Sequence, residues 1–167
     1  KQTWQRVSQR HPILRTVFVW QDLSQPIQVV LRQSNISWHI EDWRSYSAKT
    51  QTEKLTQLLQ RDRAAGFQLS ETSPIRLTLI QLADDRHEVI WSFHHILIDG
   101  WSLQLLFRDV FTFYERFYQG QPPQLSDPRP YRDYVAWLST QDSTKAAAFW
   151  TPLLQGFQKP TPLKYDK

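Results

Sequence analysis

The chain has 167 residues, 40% hydrophobic and 14% aromatic with eight Trp, enough for one domain with a core of its own. It has no Cys, which excludes disulfides, thiolate catalysis and Cys-built zinc sites, and no Met, so its ends are expected to be boundaries within a longer protein. The formal charge of +4 comes from basic residues scattered singly, as in Arg61-Asp62-Arg63, which argues against a nucleic-acid stripe.

No apolar run reaches the ~18 residues of a membrane span and no signal-peptide pattern occurs, so the expected compartment is the cytoplasm. Residues 1–10 read as the tail of a helix. Strands are expected at 15–20 and 26–33 around a turn at Asp22-Leu23-Ser24-Gln25, with a shorter one at 36–40. From 48 to 65, Leu55, Leu58, Leu59 and Ala65 recur at helical spacing, and Gly66 supplies the stop. Residues 75–82 and 87–95 predict a hairpin across Ala83-Asp84-Asp85-Arg86. A helix at 101–118 carries Leu103, Leu106, Phe107, Val110, Phe113, Tyr114 and Phe117 on one face, read as core packing. A linker at 121–130 precedes helices at 131–139 and 142–155, the second interrupted near Pro152. Helix and strand mixed in this way predict an α/β sandwich whose sheet is covered mainly on one face.

The most informative segment is Phe93-His94-His95-Ile96-Leu97-Ile98-Asp99-Gly100-Trp101-Ser102. Two histidines, the side chains that titrate nearest neutrality, stand where a strand ends and a loop opens. Strand alternation puts Val89, Trp91, Phe93 and His95 on one side and Ile90, Ser92 and His94 on the other. One imidazole can then enter a cavity while the other braces the scaffold. Periodicity alone also admits two buried histidines satisfied by hydrogen bonds, or a metal site. Against the metal stand the divergent directions of neighbouring strand residues and the missing Cys.

The pattern His94-His95-x-x-x-Asp99-Gly100 resembles the signature of the condensation domains of non-ribosomal peptide synthetases, within the chloramphenicol-acetyltransferase-like acyltransferases. Other segments resemble the same family in the same order. They are Arg10-His11-Pro12-Ile13-Leu14-Arg15-Thr16-Val17-Phe18, then Pro26-Ile27-Gln28-Val29-Val30, then Gly66-Phe67-Gln68-Leu69 with Pro74-Ile75-Arg76-Leu77. Tyr131-Arg132-Asp133-Tyr134-Val135-Ala136-Trp137 follows, and then Phe149-Trp150 with Leu153-Leu154-Gln155-Gly156. The resemblance implies a chloramphenicol-acetyltransferase-like α/β sandwich, a mixed sheet covered by helices. It implies that residues 1–167 are the N-terminal lobe, since the family's opening motif and its C-terminal lobe, expected from about 160–167 onward, have no counterpart here.

It also implies amide formation. The amine of an acceptor aminoacyl group attacks the thioester of a donor aminoacyl or peptidyl group, both tethered to carrier proteins by phosphopantetheine. No metal or directly bound cofactor is expected, and the mildly basic surface suits small acidic carrier domains. His95 matches the motif's second histidine and is the expected catalytic residue, either as a general base or as a group that holds the amine. His94 is expected to support the fold from the other side. Asp99 is expected to pair with Arg15 and so tie the loop to the first strand. Gly100 permits a positive φ and is expected to leave room for the thioester, with its amide a candidate oxyanion donor. Ser102 is a candidate helix N-cap, and Trp101 and Ser102 are candidate edges of a substrate channel. With Ile96-Leu97-Ile98 ahead of them, they resemble domains that join an L-configured donor to an L-acceptor. The alternatives are an epimerization-type isomerase of the same family and a non-catalytic carrier-docking module. Joint retention of His95, Asp99, Gly100 and Arg15 favours catalysis, although an isolated lobe is expected to be inactive.

Overall fold

A computed structural model describes residues 1–33 and 36–159, so the expected start of a second lobe near 160–167 lies outside the described residues. The chain forms two compact units, Lys1–Pro128 and Arg129–Lys167.

In the first unit α1 (Gln2–Arg10) leads through a 3-10 turn (Pro12–Arg15) into β1 (Thr16–Val19). Pro12 opens that turn, where its missing N–H costs nothing, and Thr16 closes it by donating its hydroxyl to the Pro12 carbonyl at 2.9 Å. β1 pairs antiparallel with β2 (Ile27–Val30) in register Thr16↔Val30. Between them Asp22 takes a φ of 57°, the left-handed conformation that Asp tolerates in a turn.

A second sheet has the order β3-β4-β5. β3 (Ser37–Asp42) runs parallel to β4 (Ile75–Gln81), as it must when α2 (Ala48–Ala65) carries the chain back between them. Ser47 caps α2 by accepting from the Thr50 amide, and Gly66 ends it at a φ of 57°. β5 (His87–Phe93) folds back on β4 as the expected hairpin, with Ile75↔Phe93, Leu77↔Trp91 and Leu79↔Val89 in register. The sheet is mixed and the architecture is α/β.

Alternation along β4 assigns its two faces. Ile75 lies in the core, packed with residues of α1 and of α3 (Gly100–Tyr118), where Val7, Leu106 and Phe113 are also buried, and the fully buried Leu77 shares its face by alternation. Arg76 and Ile80 turn instead toward α2, where Arg76 reaches Asp62 and Ile80 lies by Leu55. The sheet is therefore covered on both faces rather than mainly one. The two covers differ in kind, because only Gln51 of α2 is buried whereas α1 buries four residues. The stripe on α3 is also narrower than its apolar sequence predicts. Leu106 and Phe113 are buried, but Phe107 and Tyr114 are 43% and 61% exposed, since they sit a third of a turn off the packed line.

The second unit consists of α4 (Tyr131–Ser139) and α5 (Ser143–Leu153). Asp142 caps α5 by accepting from the Thr144 amide, and Pro152 falls in its last turn rather than breaking it midway. None of the described residues of this unit is buried. Among the described residues no helix is long and apolar enough to cross a membrane.

Candidate functional site

The motif occupies the junction between β5 and α3. β5 ends at Phe93, two residues sooner than expected, because the chain turns at once. The His94 amide still donates to the Pro74 carbonyl at 3.1 Å, and the Leu97 amide then closes a turn on the His94 carbonyl at 3.0 Å. Leu97 and Ile98 drop into the core at 7% and 4% exposure, which fixes the far end of the loop. His95 stands at the second position of this turn.

Both imidazoles lie beyond the strand and are exposed, so neither is a buried core histidine, and they meet different neighbours. His94 meets Phe67 edge to face at 6.5 Å, and its Nδ1 accepts from the Ile96 amide at 3.0 Å. His95 lies 5.8 Å from the Phe93 ring. Beneath Phe93 an aromatic ladder continues, with Trp91 at 5.0 Å, then Trp4 of α1 at 4.9 Å and Phe107 of α3 at 5.4 Å from Trp91. His95 therefore has an apolar wall behind it and no hydrogen-bond partner among the described residues. The buried indole N–H of Trp91 is likewise without an acceptor among the described residues.

Asp99 does not pair with Arg15. Its carboxylate is the N-cap of α3, accepting from the Ser102 amide at 2.8 Å and from the Ser102 hydroxyl at 2.7 Å. These bonds hold the Asp99 carboxyl below the usual carboxylate range. The cap therefore belongs to Asp99, with Ser102 as its partner three residues on. The physical reason is exposure. Asp99 lies at the surface, where the free N–H groups of a helix start satisfy it, so it needs no buried counter-ion. Arg15 spends its guanidinium on the Leu31 carbonyl, while its own carbonyl accepts from the Leu31 amide at 2.8 Å. It clasps β2 rather than the loop.

Gly100 is the first residue of α3 and is not among the glycines with positive φ. A Cβ at this position would meet open space, and the positive φ that Gly permits is not used here. Trp101 is 80% exposed on the same turn.

Sequence reasoning missed what ties α1 to α3. Asp109 of α3 is 1% exposed and its Oδ2 accepts from Arg10 Nε at 2.7 Å and pairs with His11 Nε2 at 2.8 Å, while Arg108 bonds its other oxygen at 3.2 Å. Burial pushes this carboxyl up, but the bonds from Arg10 and His11 outweigh that, and it settles below the usual range. The signal was present: Asp109 stands in the apolar line of α3, between Leu106 and Phe113, where a carboxylate must find cations. On the other face Arg76 pairs with Asp62 at 2.8 Å and lies over the Phe67 ring at 4.1 Å.

A sequence profile described as Condensation domain matches residues 1–167. A polypeptide of the linear gramicidin synthase of Brevibacillus parabrevis is 42% identical over 166 residues, covering 99% of this chain and 2% of that protein. Among solved structures, the epimerization domain from the third module of tyrocidine synthetase B superposes with a TM-score of 0.78 at 19% identity, over 99% of this chain and 38% of its own. The starter condensation domain of rhizomide synthetase gives 0.77 at 18%, over 95% of this chain and 39% of its own. The chain thus spans about two fifths of the solved domains it matches. The profile runs its full length and the mixed sheet agrees: this chain belongs to the condensation-domain family of non-ribosomal peptide synthetases, as an N-terminal part of such a domain.

Proposed function

We propose that this chain contributes His95 to peptide-bond formation between two carrier-bound substrates. The donor is an aminoacyl or peptidyl thioester and the acceptor an aminoacyl thioester, each on the phosphopantetheine arm of a carrier domain. The supporting observation is the turn that lifts an exposed, unpaired His95 above the Phe93–Trp91 wall at the mouth of α3.

In the reaction the acceptor nitrogen forms a bond to the donor carbonyl carbon, the C–S bond breaks, and the thiol leaves with a proton. His95 has no carboxylate holding it in one tautomer among the described residues, unlike the histidine of a hydrolytic triad. That favours a role in which the neutral imidazole accepts a hydrogen bond from the acceptor amine, already nucleophilic when unprotonated, and orients it. Tethering of both substrates supplies the proximity. Asp99 and Ser102 hold the end of the loop, Arg15 clasps the chain just after β2, and Gly100 leaves open space at the start of α3.

The 167 residues alone are proposed not to condense. His95 stands exposed, and a water-filled site neither aligns two tethered substrates nor excludes hydrolysis of the thioester. The test supplies both loaded carriers to the complete synthetase and to the 167-residue chain, with chiral analysis of any product. Dipeptide from the complete protein only, with the donor configuration retained, is expected. Inversion without a new amide would move the assignment to an epimerization-type domain. Neither product would leave the docking-module reading.

A further inference from the structure

We propose that the cavity between α2 and the sheet, on the face turned away from the Phe93–Trp91 wall, binds a free apolar α-amino acid. This binding does not depend on the function proposed above.

The cavity measures about 230 Å³. That is below the ~300–1,000 Å³ of sites that hold drug-sized molecules, so its occupant is small. Leu55 of α2, Ile80 of β4, Leu82 and Trp43 give it an apolar lining, and Arg86 and Glu88 give it a charged one. Glu88 stands opposite Ile80 in the β4–β5 register and so shares the face turned to α2, whereas Leu77 and Trp91 share the other.

Arg86 is held in place. Its backbone carbonyl accepts from the Leu82 and Ala83 amides at 2.8 and 3.1 Å, and its Nη2 donates to Gln51 Oε1 at 3.3 Å. Gln51 is itself fixed, being 8% exposed with its Nε2 donating to the carbonyls of Trp43 and Leu82, each at 3.0 Å. One donor of the guanidinium is thus spent on the fold, and the rest of its fork is left for a carboxylate. Glu88 makes no ion pair or hydrogen bond among the described residues, with Arg86 or with any other group. Two opposite charges on one cavity, unpaired with each other, match a molecule that carries both signs. A carboxylate on Arg86, an ammonium on Glu88 and a hydrocarbon side chain against Leu55 and Ile80 describe an apolar α-amino acid.

The test is an amide NMR titration of the labelled 167-residue chain with L-leucine. Saturable shifts are expected at Gln51, Leu82 and Glu88 and none at His95, with half-saturation on the order of 1 mM, the strength open to so few atoms. Glu88→Gln, which removes no bond from the fold, and Arg86→Gln should each weaken binding at least about tenfold, the loss of one charge-assisted hydrogen bond. Isocaproate, which has the same side chain without the ammonium, should also bind at least about tenfold more weakly, and L-serine, without the hydrocarbon, should not saturate. No saturation by L-leucine overturns the proposal, and so does binding that Glu88→Gln leaves unchanged. Equal binding of isocaproate or of L-serine overturns it as well, since the cavity would then read one charge, or no side chain. Peptide formation is not read, so the function proposed above stands or falls separately.

Discussion

Two arginine–aspartate pairs flank the same sheet, and they differ in almost everything but chemistry. On the face toward α1 and α3, Asp109 is 1% exposed and gathers Arg10, His11 and Arg108. On the face toward α2, Asp62 and Arg76 are 22% and 28% exposed, and Arg76 also has backbone carbonyls to turn to. A buried pair commits its neighbours, because losing one partner strands the other charge away from water. A half-wet pair does not. The α1 and α3 side therefore works as a fixed foundation beneath His95, and the α2 side, which touches His94 through Phe67, as an adjustable brace.

That contrast sets an order of effects. Asp109→Ala should cost ~3–5 kcal/mol in urea unfolding, since Arg10 and His11 would be left facing an emptied site. A loss near 1 kcal/mol would show that Arg10 escapes to water and that the two faces are alike. Leu77→Ala, in the fully buried centre of β4, should cost ~2–4 kcal/mol through the cavity it opens. Asp62→Ala should cost only about 1 kcal/mol, because solvent already screens the pair.

Acid should separate the faces in the same way. The Asp109 carboxyl is depressed in the folded state, so its contribution is complete above the ordinary range near ~3.9 and fades as pH falls through its lower folded value. The stability gap between the parent chain and Asp109→Asn, wide at pH 6, should therefore narrow below about pH 4. A gap that stays constant with pH would mean that Asp109 acts through shape and not charge. The smallest effect is expected at Trp91→Phe, within about 1 kcal/mol, because the packing lost is offset by removing a buried N–H without an acceptor.

Much of the fold is legible in the residues alone, and the reasons are local. The α2 span, the β4–β5 hairpin and α3 each carry a period and a boundary signal within a few residues: Gly66, the Ala83–Arg86 turn, and Asp99-Gly100. His94 and His95 do meet different neighbours, Phe67 and Phe93, but both lie in the turn beyond β5, so strand alternation is not what separates them. What was not legible is partner choice across the fold. Asp99 had two sources of donors, a distant guanidinium and the helix that begins beside it, and the nearer one won because the residue is exposed. Asp109 sits 98 residues from His11, a separation no periodicity bridges, although its place in an apolar line marked it as a group in need of cations. The aromatic side chains of α3 read as one buried face because pattern gives hydrophobicity and not the width of the surface that meets it.

The central claim is that His95, held by this turn above the aromatic ladder, supports amide formation. A single-turnover assay of His95→Ala in the complete synthetase, with both carriers loaded and the fold checked by circular dichroism, tests it most directly. The predicted result is a folded protein whose rate of peptide formation falls by ~10²-fold or more, the contribution typical of a positioned imidazole. Unchanged peptide formation by the folded variant would contradict it.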